Sequence, residues 1–418
     1  MSDLPIRQIP GDYGLPFFGP IGDRLKYYYS QGEVEFFKTR MHKYESTVFR
    51  CNMPPGPFMA RDPRVICLLD AVSFQTLFDN SKVEKRDVLD GTFMPSTAFT
   101  GGYRACAYLD PSEPNHAVLK GYFLSFLAGK HNIFIPLFRQ TISGLLSGLE
   151  DEVSSKGSSN FNDLSDPASF EFVFRLLCDK SPSEANIGSK GPKMVDKWLF
   201  LQLAPLMTLG LKFNAYGGMK RLFPSLIKWV GSAGEGLHRR LADEIRAAVK
   251  KGGVTLSALD EMNLTKSVVY EALRIEPPVP YQYAKAKQDF TIHNHESSFL
   301  IKKGEMLFGY QPIATKDPKV FANPDDFIAD RFVGEGEKLI EYVYWSNGRE
   351  TDGPTENKQC PGKELVVLLC RLMLVEFFLN YDTFKVDTSK LVFGSAVVTF
   401  KSLTKATDTS SISATIQC

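Results

Sequence analysis

The run from Leu365 to Leu379 is broken only by Arg371 and Glu376. It is too short and too charged for a bilayer span, which takes about 20 mostly apolar residues, so it reads as a helix buried on nearly every side. The rest of the chain supplies partners for such a helix. From about Asn115 to Lys250 the pattern is mostly helical, with apolar residues three and four apart. A further helix is expected over Thr265–Ile275, stopped by Pro277-Pro278, where the missing N–H and the ring end the ladder. Strands are fewer. Ser46–Met53, a turn at Pro54-Pro55-Gly56-Pro57 and Arg64–Leu69 form a strand-turn-strand unit, and residues 284–311 read as β-hairpins. A Pro- and Gly-rich coil opens the chain, and 406–418 is a polar tail. With no repeat and no linker, the expectation is one domain over 1–418, mainly α with a minor β portion.

Composition excludes several classes. The chain has 418 residues, 43% hydrophobic and 12% aromatic, ample for a large core and unlike a disordered chain. Lys+Arg 49 against Asp+Glu 48 leaves a formal charge of +1, which argues against nucleic acid as a partner. Seven cysteines without a C-x-x-C pair suggest neither a disulfide framework nor a zinc ribbon, and fit a reducing compartment. The first residues carry no signal-peptide or transit-peptide pattern. The expected location is cytoplasmic or peripheral to a membrane.

Cys360 stands at the end of a polar loop, directly before the apolar helix. A thiolate there would face helix N-terminal amides, the setting of a cysteine that ligates haem iron; the competing reading is an inert buried thiol. A nucleotide P-loop fails, because Gly362-Lys363 is followed by Glu364. Glu271 and Arg274 share a helix face, ordinarily as a surface ion pair. The rival reading buries them with Arg331 as a brace near the cysteine loop. His116 and Lys120, four apart, with Lys85 and Lys358, could serve two haem propionates, though each alone reads as a solvated residue. His293, His295 and Glu296 read as an exposed hairpin tip rather than a metal cluster.

In this order, Glu271-x-x-Arg274, Arg331-Phe332 and Cys360-x-Gly362 resemble a cytochrome P450. Finer strings resemble its plant fatty-acid-hydroperoxide branch of allene oxide synthases, hydroperoxide lyases and divinyl ether synthases. They are GlyThrPheMetProSerThr (91–97), GlyGlyTyrArg (101–104), TyrLeuAspProSerGluPro (108–114), PheAsnAlaTyrGlyGlyMet (213–219), LeuThrLysSerValValTyrGluAlaLeuArg (264–274) and TrpSerAsnGlyArgGlu (345–350). The resemblance covers nearly the whole chain except the tail, and points to the non-plastid subfamily. It implies a P450 fold, haem b with Cys360 as axial ligand, and a substrate that already carries its O–O bond, so that neither dioxygen, NADPH nor a reductase is needed. Asn214 stands where oxygen-activating members place an acid–alcohol pair. Its amide can hydrogen-bond a hydroperoxide but is a poor proton shuttle.

By the same resemblance Lys85, His116, Lys120 and Lys358 contact haem, and Leu89, Asn214 and Lys220 belong to the substrate pocket. Homolytic O–O cleavage at ferric haem then leaves an alkoxyl radical that closes to an epoxyallylic carbon radical. Electron transfer and proton loss lead to an allene oxide; hydroxyl rebound leads to a hemiacetal that falls apart to aldehydes. Leu89 occupies a position where plastid allene oxide synthases tend to have Phe, which favours hydroperoxide lyase, with allene oxide synthase as the alternative. A conventional monooxygenase is disfavoured by Asn214 and the absent membrane anchor. One departure stands out. After TrpLeuPheLeuGlnLeuAlaProLeuMetThrLeuGlyLeu (198–211) the chain passes directly to LysPheAsnAlaTyrGlyGly, where the family has several distal helices. An internal deletion near residue 212 raises a further alternative, a non-catalytic haem- or lipid-binding remnant.

Overall fold

The structure, a computed structural model, describes residues 4–53, 62–88, 97, 101–194, 217–349, 356–389 and 396–407. Among these, ten strands follow in chain order: β1 Val48–Asn52, β2 Arg64–Leu68, β3 Val83–Glu84, β4 Ser159–Asn160, β5 Tyr281–Ala286, β6 Phe290–His293, β7 Ser298–Ile301, β8 Met306–Tyr310, β9 Tyr381–Ser389 and β10 Val397–Lys405. Two compact units contain them. The first takes residues 1–124, 279–326 and 341–361; the second takes 125–278, 327–340 and 362–418.

The first unit is built on a five-stranded sheet ordered β1-β2-β8-β5-β3. β2 and β8 run parallel, and every other neighbouring pair is antiparallel. Alternate residues of one strand sort to opposite faces, as the pleat requires. Ile66, Leu68 and Leu307 join one apolar cluster, whereas Val65, Cys67 and Phe308 join the other. β2 is buried along four consecutive residues, which is why it reads as a continuous apolar run. The expected strand-turn-strand unit is present as antiparallel β1 and β2; its turn at 54–57 lies outside the described residues. The 284–311 region holds a single hairpin, β6–β7, while β5 and β8 pair with each other. Alternation in sequence gives strand faces and leaves partners open.

In the second unit, helix Lys363–Asn380 is buried from Leu369 to Leu379 except at Arg371. The two charged residues within that stretch both find partners in the same unit. Arg371 donates to the Leu259 carbonyl, and Glu376 accepts from Arg139 Nε at 2.6 Å. Helices Phe134–Lys156, Glu235–Val249 and Asn263–Ile275 belong to the same unit, with the small sheet β4-β10-β9. Helix Asn263–Ile275 begins two residues before the expected Thr265, because the Glu244 carboxylate takes the N–H groups of Leu264 and Thr265 at 2.7 and 2.8 Å. No helix of the described residues is long and apolar enough to cross a membrane.

Candidate active site

Cys360 is exposed, which removes the inert buried thiol as a reading. Its N–H donates to the Ser346 carbonyl at 2.8 Å. Gln359 Nε2 donates to Ser346 Oγ at 3.2 Å and to the Arg349 carbonyl at 2.9 Å. Two stretches of the long loop are thereby tied together. Gly348 makes the approach feasible: a Cβ there would lie 2.9 Å from Gln359 Cβ.

Four basic residues meet on the same unit. Lys120 Nζ donates to the Asn357 carbonyl at 2.6 Å and to Asn357 Oδ1 at 2.9 Å. Lys85 Nζ donates to Asn347 Oδ1 at 2.6 Å, and Asn347 sits in the left-handed region at φ 63°. Lys358 Nζ donates to the Ala107 and Leu109 carbonyls at 2.6 and 2.5 Å. Lys85, His116 and Lys120 are at most 2% exposed, so the reading of each as a solvated surface residue fails.

Burial depresses the basicity of all four. Lys85 is pushed down to about 7, by burial first and then by Lys358. Lys120 and Lys358 are pushed down to about 8, chiefly by burial. His116 is pushed down to about 4 by burial, then by repulsion from Lys358 and Lys120. Among the described residues none of the three ammonium groups meets a carboxylate at ion-pair distance. His116 Nδ1 and Trp345 Nε1 are buried without a hydrogen-bond partner. What this cluster lacks is an anionic acceptor. The two propionates of haem are of that chemistry, and an exposed thiol two residues from Lys358 offers the iron ligand. The donor set fits the group.

Glu271, Arg274 and Arg331 form a buried triad in the second unit, so the surface-pair expectation is corrected. Arg274 reaches both Glu271 oxygens, from Nε at 2.7 Å and from an Nη at 2.8 Å, and Arg331 Nε stands 3.0 Å from both. The Ile328 N–H adds a further donor at 2.9 Å. The pair is buried because one carboxylate is fully spent on two guanidinium groups and a backbone amide. Lys220 pairs with Asp166 at 2.5 Å. Asn214 and Leu89 lie outside the described residues. The hairpin tip is less exposed than expected, since Asn294 is buried and His295 Nε2 lies 2.6 Å from Asp317.

Sequence reasoning assigned no role to Asn347, Trp345, Asn357 or Asp110, whose carboxylate takes the Lys85 N–H at 2.6 Å. Trp345, Asn347 and Asp110 lie inside quoted strings, which was the available signal.

Comparison with known proteins gives the family. The cytochrome P450 family profile matches residues 236–394. Allene oxide synthase 3 of Solanum lycopersicum is 53% identical, with 97% of this chain and 96% of that protein covered. Allene oxide synthase 2 of Oryza sativa is 50% identical, covering 93% and 95%, and the 9-divinyl ether synthase of Capsicum annuum is 46% identical, covering 97% and 98%. The tomato comparison spans 472 positions against 418 residues in this chain, so at least 54 positions of the relative have no counterpart here. Identity at this level across nearly the full length of both proteins places the chain in the cytochrome P450 family, in the branch of allene oxide synthases and divinyl ether synthases, with a haem iron held by a cysteine thiolate.

Proposed function

We propose that this chain is an allene oxide synthase, a hydroperoxide dehydratase acting on polyunsaturated fatty-acid hydroperoxides in oxylipin formation. The observation that carries the reading is the cluster of buried, anion-seeking cations beside exposed Cys360, in a chain half identical to proteins named allene oxide synthase. That likeness outweighs the inference from Leu89, a single aliphatic residue, and displaces lyase as the favoured product class.

Haem bound through the Cys360 thiolate supplies homolytic cleavage of the hydroperoxide O–O bond. The chain's own residues do the remaining work. Lys85, Lys120 and Lys358 neutralise the propionates, and His116 gains a partner for its orphaned ring nitrogen. Asn214 holds the hydroperoxide by its amide and supplies no acid, so the O–O bond is not protonated toward heterolysis. Lys220 and Leu89 complete the proposed substrate set. No reductase is required, because the oxidant is the substrate itself.

The test is loss of the conjugated diene of a fatty-acid hydroperoxide on haem-loaded protein without NADPH, followed by product identification. Ketols from allene oxide hydrolysis support the reading; aldehydes return the assignment to lyase, and a divinyl ether to the third activity of the branch. A second reading, a haem-binding remnant without turnover, draws on the 54 or more missing positions. Stoichiometric haem with no diene loss would establish it.

A further inference from the structure

The only polar atom of a tryptophan side chain is an N–H that can donate and never accept. Two of the chain's three tryptophans lie among the described residues, and their donors fare differently. Trp229 Nε1 donates to a Glu276 carboxylate oxygen at 3.1 Å. Trp345 is 5% exposed, and its Nε1 is buried without an acceptor. A buried donor left unpaired is destabilising, and a phenylalanine at the same position would avoid the cost. The orphaned indole N–H therefore points to an acceptor that the folded chain does not itself supply.

The backbone that carries it is fixed. The Asn347 N–H donates to the Tyr344 carbonyl at 3.2 Å, closing a turn with Trp345 at its second position. Tyr344 is anchored twice. Its ring stacks on Phe74, with centroids 5.0 Å and planes 9° apart, and its hydroxyl donates to the Ala71 carbonyl at 3.0 Å. Ser346 Oγ accepts from Gln359 Nε2 at 3.2 Å, and Asn347 Oδ1 accepts from Lys85 Nζ at 2.6 Å. Every residue of the turn except Trp345 has its side chain bonded, so the indole is held in place ahead of its partner.

The same turn holds the iron ligand. The carbonyl of Ser346, the next residue, accepts the Cys360 N–H at 2.8 Å, so one backbone hydrogen bond joins the tryptophan's turn to the cysteine. The propionates are provided for elsewhere, by three ammonium groups and the His116 ring. We propose that Trp345 Nε1–H donates to the Cys360 thiolate in the haem-bound chain and sets how strongly that sulfur donates to iron. A hydrogen bond to a ligating sulfur withdraws electron density, which weakens the iron–sulfur bond and raises the reduction potential. One consequence rests on the proposed allene oxide synthase activity: a readier electron acceptor favours electron transfer from the carbon radical over hydroxyl rebound.

The test is resonance Raman spectroscopy and redox titration of the haem-loaded full-length chain without substrate. Trp345→Phe keeps an aromatic ring and removes the N–H. Its iron–sulfur stretch is expected to rise in frequency and its midpoint potential to fall. Biosynthetic replacement of tryptophan by a fluorinated tryptophan makes the N–H a stronger donor. Both shifts are then expected to reverse, and to vanish when the same label is carried in W345F. Should W345F fail to retain haem, the labelled wild-type chain decides. An iron–sulfur stretch that neither change moves would overturn the proposal. So would a loss of haem affinity in W345F with the stretch unmoved, which would make a propionate the acceptor. These shifts are read without turnover, so a wild-type chain that forms aldehydes overturns the proposed activity alone.

Discussion

A lysine with a pKa near 7 holds its proton weakly, and Lys85 is in that state because burial withdraws water and Lys358 repels it. His116 carries the same conflict into a testable pH window. Its pKa in the folded chain is about 4, against an ordinary 6.5. Between those values the unfolded chain binds the proton that the folded chain refuses, so stability falls as pH drops from 6.5 toward 4. Denaturant midpoints of the haem-free protein are expected to fall between pH 6.5 and 5, and to fall less in His116→Gln. Cys360→Ala is expected to abolish the thiolate-type haem spectrum and with it hydroperoxide turnover, whereas Cys106→Ala keeps both; a retained spectrum in Cys360→Ala would remove it as the ligand. Residue type and chain order only raised these candidates, a cysteine before an apolar helix and a histidine and lysine four apart. Alone they read as an inert thiol and solvated residues, and the family resemblance supplied the roles proposed for them. Asn347 was not raised at all, since its left-handed backbone and its bond to Lys85 arise only when strand β3 and the cysteine loop come together.

At the scale of elements, burial decides how strongly a motif acts. One carboxylate, Glu271, serves Arg274 on its own helix, Arg331 and the Ile328 amide, so it ties segment 327–340 to helix Asn263–Ile275. Removing one partner strands buried charge. Glu271→Ala is expected to lose about 3–5 kcal/mol in urea denaturation, far more than the fraction of a kcal/mol typical of an exposed pair. Strand β8 makes a packing counterpart. A Cβ at Gly309 would come within 2.3 Å of the Phe74 ring and 2.5 Å of Leu77, so Gly309→Ala is expected to cost about 1–3 kcal/mol through overpacking. The helices were readable from apolar spacing and from Pro277, whereas the pairing of β5 with β8 around a nested hairpin was not. Alternation fixes which face is buried, and partner choice depends on what the sheet packs against.

For the molecule as a whole, the unusual quantity is length. The tomato relative, 53% identical, carries at least 54 positions that this chain lacks, although 97% of this chain and 96% of that protein are covered. The sequence reading places the gap between Leu211 and Lys212, immediately before Asn214. The cations proposed to hold the propionates and the proposed iron ligand all lie in the first unit, far from that junction in sequence. Cofactor retention and hydroperoxide turnover therefore depend on different parts of the chain. Inserting the tomato relative's additional segment between Leu211 and Lys212 is expected to leave the haem stoichiometry and thiolate spectrum unchanged while raising the rate of diene loss at least about tenfold, the scale on which positioning of a bound substrate acts. A rise in haem content instead would mean that the segment completes the cofactor site. Equal turnover with and without it would mean that Asn214 is held in place without the missing helices, and that the shortened chain is a complete catalyst.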